Sequence, residues 1–327
     1  MTLILTQRDV RALLGFDECI AAVEAAFRLH AEGRSLAPGT LGVRSREGGF
    51  HIKAAGLELS RLYFAAKTNA NFSGNPRRHG LPAIQGVIVL CDGEDGRPLA
   101  VMDSIEVTVR RTAAATAVAA RWLARPDAKV ITVCGCGHQG RAQLRALRRV
   151  LPLQRAYAFD TDETAARAYA RELSAELDLE VTAVTDHAEA VRASDVCVTC
   201  TPSRRPFLFR EHVGAGTFVA AVGADSPDKQ ELDPALVAAS LLVVDVLEQC
   251  ASIGELHHAL VAGAVTRESV HAELADLVTG RKPGRRSPEE ITIFDSTGTA
   301  LEDVAAAAVV YEKAVAAGVG LTVELGA

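Results

Sequence analysis

Lys129-Val-Ile-Thr-Val-Cys-Gly-Cys-Gly-His-Gln-Gly-Arg141 is the stretch on which the fold turns. Val130, Ile131 and Val133 form a short β-branched apolar run, which reads as a buried parallel strand. The run stops at Gly135, Gly137 and Gly140, in G-x-G-x-x-G spacing, and Ala142 to Val150 then carries a helical pattern. The three glycines serve a tight turn, room for backbone N–H groups to approach a pyrophosphate, and close contact between helix and strand. The helix N-terminus adds partial positive charge for the phosphates. A second apolar run, Ala156 to Phe159, ends at Asp160, and 160 − 135 puts this acid 25 residues after the first glycine. A carboxylate there suits a ribose 2′-hydroxyl and repels a 2′-phosphate. Asp162 and Glu163 follow with no arginine, so the predicted cofactor is NAD rather than NADP.

The chain of 327 residues is long enough for two domains. It is 49% hydrophobic but only 5% aromatic, with alanine and valine dominating, which suits helices packed on parallel strands. A net charge of −6 argues against a nucleic-acid partner. No apolar run approaches transmembrane length, and Met1 to Asp9 lacks a signal-peptide pattern, so no membrane contact and a cytoplasmic location are expected. Seven cysteines are an odd number. Cys197-Val-Thr-Cys200 has metal-like spacing, but it lies in a strand pattern without a second pair, so it reads as core thiols and no metal is expected.

From the N-terminus, Thr6 is a helix-cap candidate and residues 6–33 carry an amphipathic helical period that Pro38-Gly39 breaks. From Leu41 to Asp103 the period changes to two, which predicts an antiparallel domain. His51 and Lys53 share one strand face, Lys67 interrupts an apolar strand, and Val87–Leu90 with Leu99–Met102 form a hairpin. Ser104 to Arg125 is a long helix with Thr108, Arg111, Thr112 and Ala115 on one face. After Asp160, apolar strands at 181–184, 196–201, 217–223 and 241–246 alternate with helices, with further helices over 254–262 and 267–278 and a last strand over 291–294. Arg281 to Arg286 reads as a basic surface loop, and the alanine-rich helix 301–317 is expected to pack with 113–120. The predicted class is α/β: a Rossmann doubly wound parallel sheet over 125–298, plus a smaller α+β substrate and dimerisation domain built from both chain ends, 1–124 and 299–327.

Charged residues in apolar settings are the candidates for chemistry. Lys67 follows Phe64-Ala-Ala66, Arg111 sits on a helix suited to burial, and Asp225 follows Ala220-Ala-Val-Gly-Ala224 at the C-terminal end of a parallel strand, where ligands bind. As alternatives, Lys67 and Arg111 can be structural ion-pair partners and Asp225 a helix cap.

The motifs Lys67 with Asn71, Gly80-Leu-Pro82, Leu99-Ala-Val-Met-Asp103, Arg111-Thr-Ala-Ala114, Gly135-Cys-Gly-His-Gln139, Val222-Gly-Ala-Asp225 with Lys229-Gln-Glu-Leu232, Gly254-Glu-Leu256 and Phe294-Asp-Ser-Thr-Gly298 with Asp303 stand in order along the chain. In these the sequence resembles the ornithine cyclodeaminase/μ-crystallin family, which includes archaeal-type alanine dehydrogenases and cyclic ketimine reductases. The resemblance implies that Lys67 binds substrate and moves a proton near the imine, that Arg111 holds the substrate carboxylate, and that Arg44 assists from the early strand. It implies that Gly135, Gly137, His138, Gln139 and Gly140 hold the pyrophosphate with Thr112 and Arg111 beside it, and that Asp160 holds the ribose. Thr201, Val222 and Lys229 would contact the cofactor, Ser296 and Thr297 would close over the nicotinamide and substrate, and Asp225 would act on the reacting nitrogen or water. The implied function is NAD-dependent hydride transfer at the α-carbon of a small α-amino or α-imino acid, by a homodimer. Cyclodeamination of ornithine or lysine and non-catalytic NAD(P)H binding are the alternatives. The cyclodeaminases carry an acid on the early strand, whereas residues 50–55 here read Phe-His-Ile-Lys-Ala-Ala. A 2-hydroxy acid dehydrogenase would need a His–acid pair that the second domain lacks.

Overall fold

The structure, a computed structural model, describes residues 1–325, and the chain divides into two compact units: Met1–Arg111 with Thr299–Ala327, and Thr112–Gly298. The first unit opens with β1 (Thr2–Leu5), α1 (Gln7–Leu13) and α2 (Phe16–Ala31). Thr6 caps α1 as its sequence predicts: its hydroxyl accepts from the Asp9 amide, and the Asp9 carboxylate accepts from Thr6 N at 2.9 Å. The amphipathic face of α2 buries Cys19, Ile20, Val23, Ala26 and Phe27.

Pro38-Gly39 does not end a helix. It lies within β2 (Ser35–Arg44), where the pairing slips between Leu36 and Gly39. As the outermost strand of its sheet, β2 has backbone groups to spare, so a proline costs little there. Next come β3 (Gly49–Glu58), β4 (Leu62–Asn71), the one-turn α3 (Asn75–Arg78), β5 (Ile84–Asp92), β6 (Pro98–Asp103) and α4 (Ser104–Leu123). From β2 to β6 all neighbours are antiparallel, as the period of two requires, and β5 and β6 form the hairpin.

The second unit carries β7 (Val130–Cys134), α5 (His138–Val150), β8 (Arg155–Phe159), α6 (Glu163–Leu177), β9 (Glu180–Val184), α7 (His187–Arg192), β10 (Val196–Thr199), β11 (Arg204–Leu208), β12 (Phe218–Ala221), β13 (Gln230–Leu232), α8 (Pro234–Ala238), β14 (Leu241–Val244), α9 (Leu247–Ile253), α10 (Glu255–Val261), β15 (Ala272–Glu273), α11 (Leu274–Val278) and β16 (Thr292–Asp295). Its main sheet has the order β15-β14-β16-β12-β10-β7-β8-β9, and every pair is parallel. The order reverses at β7, so a crevice opens between the C-terminal ends of β7 and β10, the position at which doubly wound sheets take ligands.

The predicted strand 291–294 forms as β16 and lies inside the sheet, between β12 and β14. Two sequence expectations change here. The segment 267–278 is not one helix: a short 3₁₀ turn at Arg267–Ser269 and β15 precede α11. Arg285 leaves the surface loop to donate to Leu123 O at 2.8 Å and to Thr292 Oγ1 at 3.1 Å, so the basic run is only partly a surface feature.

The chain then returns to the first unit with α12 (Ala300–Ala317) and β17 (Leu321–Val323). β17 pairs with β1, giving the order β17-β1-β6-β5-β4-β3-β2. β1 and β6 run parallel, which makes this sheet mixed rather than antiparallel throughout. α12 packs on α2 and lies along β3, β4 and β5.

Candidate functional site

In the second unit the glycine loop has the shape its spacing demands. Gly135 sits at φ +107°, and a Cβ there would stand 2.7 Å from the Cys200 carbonyl oxygen across the crevice. A Cβ on Gly140 would run into the Gly135 carbonyl oxygen, so α5 and the loop touch through backbone alone. Gly137, by contrast, faces open space and is the N-cap of α5, with no side-chain cap hydrogen bond. The first N–H groups of α5, from His138, Gln139 and Gly140, are those that a pyrophosphate would engage. Asp160 stands at the end of β8, where its carboxylate accepts from Cys136 N at 2.8 Å and from Asp162 N at 3.0 Å. These bonds fix the acid beside the glycine loop, in the place of a ribose-binding carboxylate, so the loop, the helix end and the acid together fit a dinucleotide.

The cysteines near this loop are packing groups. Cys134 and Cys197 are buried in β7 and β10, and burial pushes the Cys136 thiol up to about 12 and that of Cys200 well above its usual range. Among the described residues, no group of three or more His, Cys, Asp or Glu side chains could hold a metal.

Around the C-terminal edge of the same sheet stand four buried acids to which the sequence assigned no role, although Glu231, Glu255 and Asp295 lie in the motifs quoted above: Glu231, Asp245, Glu255 and Asp295. Glu231 accepts from Thr201 N at 2.6 Å, Thr201 Oγ1 at 2.7 Å and Gly223 N at 2.9 Å. Glu255 accepts from the amides of Glu231 and Leu232. Asp245 accepts from the Thr297 hydroxyl at 3.1 Å and from Gly298 N at 2.6 Å, and it lies 3.4 Å from Ser296 Oγ. Burial raises Glu231 and Glu255 and pushes Asp295 up to about 7. Of these carboxylates, Glu231 holds Thr201 by its amide and hydroxyl, Asp245 holds the Ser296 and Thr297 hydroxyls, and Asp295 accepts from Leu256 N at 2.8 Å. Their signal in the sequence is acidic residues beside glycine in apolar surroundings, as in Gly254-Glu255-Leu256.

Asp225 lies in an exposed turn beyond β12, with Val222 buried before it, and pairs with Lys229 Nζ at 2.6 Å. The helix that a capping role requires is absent from this turn: α8 begins at Pro234 and is capped by Asp233.

The first unit holds a second constellation. Lys67 Nζ lies 2.9 and 2.8 Å from the two carboxylate oxygens of Asp303. Arg111 donates from Nε to Asp303 Oδ1 at 3.0 Å and from Nη1 to Glu302 Oε2 at 3.0 Å. All four side chains are at most 5% exposed. Glu302 does double duty, because its other oxygen accepts from Thr299 N to close the capping box of α12. Burial and the Arg111 charge push the Lys67 amine down to about 7, although Asp303 pulls the other way. Asp303 is held below the usual carboxylate range by the Lys67 and Arg111 charges, against its burial. The structure thus brings Lys67 and Arg111 together through Asp303. Arg44, at the end of β2, is exposed near the β2–β3 hairpin and stands apart from this buried group. Thr112 follows Arg111 on α4 and is buried.

The profile of the ornithine cyclodeaminase/mu-crystallin family matches residues 1–318. The alanine dehydrogenase of Archaeoglobus fulgidus is 42% identical over 319 residues, which cover 98% of this chain and 97% of that one. The solved structure of an archaeal alanine dehydrogenase dimer with bound NAD superposes with a TM-score of 0.94 at 41% identity, covering 99% of both chains. The Delta(1)-pyrroline-2-carboxylate reductase of Thermococcus litoralis, solved with NADH and L-proline, superposes with a TM-score of 0.95 at 34% identity, covering 98% of this chain and 100% of that one. The chain belongs to the ornithine cyclodeaminase/mu-crystallin family.

Proposed function

We propose that this protein is an NAD-dependent oxidoreductase that moves hydride to or from the α-carbon of a small α-amino or α-imino acid. The observation that carries the reading is the buried Lys67–Asp303–Arg111–Glu302 cluster. Its arrangement combines an amine that titrates near neutrality with a guanidinium already desolvated and oriented, and this pairing suits a carboxylate-bearing substrate whose nitrogen gains or loses a proton. The relatives named above, which carry NAD or NADH in their structures, support the same cofactor here.

NAD, when bound, supplies or accepts the hydride. The chain's own residues do the rest. Arg111 binds the substrate carboxylate, with Asp303 and Glu302 setting the angle of its guanidinium. Lys67 exchanges the proton at the substrate nitrogen, and Asp303 keeps its amine in place. Asp225 serves the reacting nitrogen or the water, and Lys229 holds the Asp225 carboxylate. Gly135, Gly137 and Gly140 admit the pyrophosphate, and Asp160 takes the ribose hydroxyls. Thr201, Val222, Ser296 and Thr297 line the nicotinamide half, with the hydroxyls fixed by Glu231 and Asp245. The test is consumption of NADH with α-keto acids plus ammonia and with cyclic imino acids, beside NAD reduction with ornithine and lysine. Turnover of the imino acids is expected; NADH binding without turnover of any of them would make the chain a binding protein.

Asp160 gives the reading a further consequence. The kcat/KM with NADH should exceed that with NADPH, because a 2′-phosphate beside this carboxylate meets like charge. Asp160→Ser should narrow the gap, and equal kcat/KM for both cofactors in the parent protein would contradict the assignment.

Assembly follows from the first sheet. One of its faces is covered by α12, while the other leaves Leu41, Val43, Phe50 and Val87 between 40% and 58% exposed. We infer that this apolar face joins two copies, as supported by the dimeric alanine dehydrogenase relative. Light scattering at micromolar concentration should give a dimer, and Phe50→Asp should shift it to monomer. A monomeric parent protein would refute the inference.

A further inference from the structure

Lys67, Asp303 and Arg111 stand as a nucleophile, its base and the group that orients the base. Lys67 Nζ lies 2.8 Å from Asp303 Oδ2, within the reach over which a base takes a nucleophile's proton. That oxygen takes no aligned hydrogen bond among the described residues, whereas Oδ1 accepts from Arg111 Nε at 3.0 Å and from Lys67 Nζ at 2.9 Å. All three side chains are buried, so bulk water is kept from the amine.

We propose that Lys67 is also a nucleophile: it condenses with the carbonyl of an α-keto acid to a Schiff base, from which ammonia releases the α-imino acid. This deepens the imino-acid reading above and rests on it. The Lys67 lone pair bonds to the carbonyl carbon, and the C=O π pair moves to oxygen. Asp303 Oδ2 carries the two amine protons in turn to that oxygen, which leaves as water, with C=N formed to Lys67. Ammonia then adds to the same carbon and gives two protons to the Lys67 nitrogen. The C–N bond to Lys67 breaks, the imino acid leaves, and the free amine returns; no electrons are gained or lost before the hydride step. The spacing suits this sequence. Lys67 Nζ and Arg111 Nε lie 2.9 and 3.0 Å from the same Asp303 oxygen, so they are within 5.9 Å of each other. A carboxylate oxygen ~2.8 Å from the guanidinium, with C–O and C–C bonds of ~1.2–1.5 Å, puts the next carbon ~4–5 Å from Arg111, within reach of a ~3 Å attack by Lys67. Burial and the Arg111 charge push the amine down to about 7 against the pull of Asp303, and Lys53, directly opposite on β3, acts in the same sense as Arg111. The neutral nucleophile is therefore present near neutral pH, while Asp303, held below the usual carboxylate range, stays ionised as a base must.

The test incubates the full chain with pyruvate and sodium cyanoborohydride, without ammonia or nucleotide, and reads its mass and peptides. About one carboxyethyl group per chain is expected, on Lys67 ahead of the exposed Lys129 and Lys282. Acetone, which offers Arg111 no carboxylate, should label Lys67 ~10-fold less or lower. Asp303→Asn should cut the labelling by ~10²-fold, the lower end of what a positioned base contributes. Lys67→Arg should lower kcat/KM for pyruvate plus ammonia at least ~10-fold more than for a cyclic imino acid, which needs no covalent step. Turnover of pyruvate plus ammonia by a parent protein whose Lys67 stays unlabelled overturns the proposal and leaves the imino-acid reading standing. Labelling of Lys67 no faster than that of Lys129 overturns it too. Selective labelling without turnover in any NADH assay supports the Schiff base and fails the imino-acid reading.

Discussion

Lys67→Ala is expected to lower kcat/KM for the imino acid by ~10²–10⁴-fold, the range that a positioned proton-transfer group contributes. The alanine variant also leaves Asp303 and Glu302 with Arg111 as the cluster's one remaining cation, so part of any loss could come from unfolding. Lys67→Arg separates the two effects, because it keeps a positive charge against Asp303 but cannot release its proton. The pH dependence gives the sign. With the Lys67 amine pushed down to about 7, its neutral form grows as pH rises through that value and its ammonium form grows as pH falls. Oxidation of the amino acid needs the base, so kcat/KM in that direction should climb through about pH 7. Reduction of the imine needs the acid and should decline over the same interval. Lys67→Arg should flatten both limbs, and a profile that keeps its limb near 7 would assign the proton to another group.

The second large effect belongs to Arg111. Its guanidinium is spread over two acids of α12, which hold its plane for the substrate carboxylate. Arg111→Lys keeps the charge but loses the planar fork, and kcat/KM should fall ~10²-fold, as when a bidentate charged contact is lost. NADH binding, followed by fluorescence, should change far less, since the proposed phosphate site is the glycine loop and α5 rather than Arg111. Full turnover in Arg111→Lys would reduce Arg111 to a structural ion pair with Glu302 and Asp303.

What the sequence made legible was local. The strand, glycine turn and helix around residues 130–150 are specified by near neighbours, and so are the alternating strands 50–55 and 62–68. The βα rhythm after Asp160 predicted a parallel sheet, and the sheet is parallel throughout. What stayed hidden was set by distance along the chain. Asp303 reaches Lys67 across 236 residues and Arg111 across 192, and no period relates them. In the sequence, Glu302-Asp303 stands three residues after Thr299, where acids serve an N-cap, and that ordinary role masked their pairing with buried cations. The place of β16 inside the sheet was not legible, because chain order does not encode sheet order. The start of the edge strand β2 was missed because proline and glycine, tolerated at an edge, look like a break. The shared face of Lys53 and Lys67 needs a register, which alternation alone does not supply.

The most direct test of hydride transfer at the α-carbon is the fate of deuterium. Pyruvate plus ammonia, or a cyclic imino acid, is incubated with NADH deuterated at the transferable position, and the product is read by NMR. The account predicts an amino acid with deuterium on its α-carbon. A 2-hydroxy acid, an amino acid without deuterium at that carbon, or no product at all would contradict it.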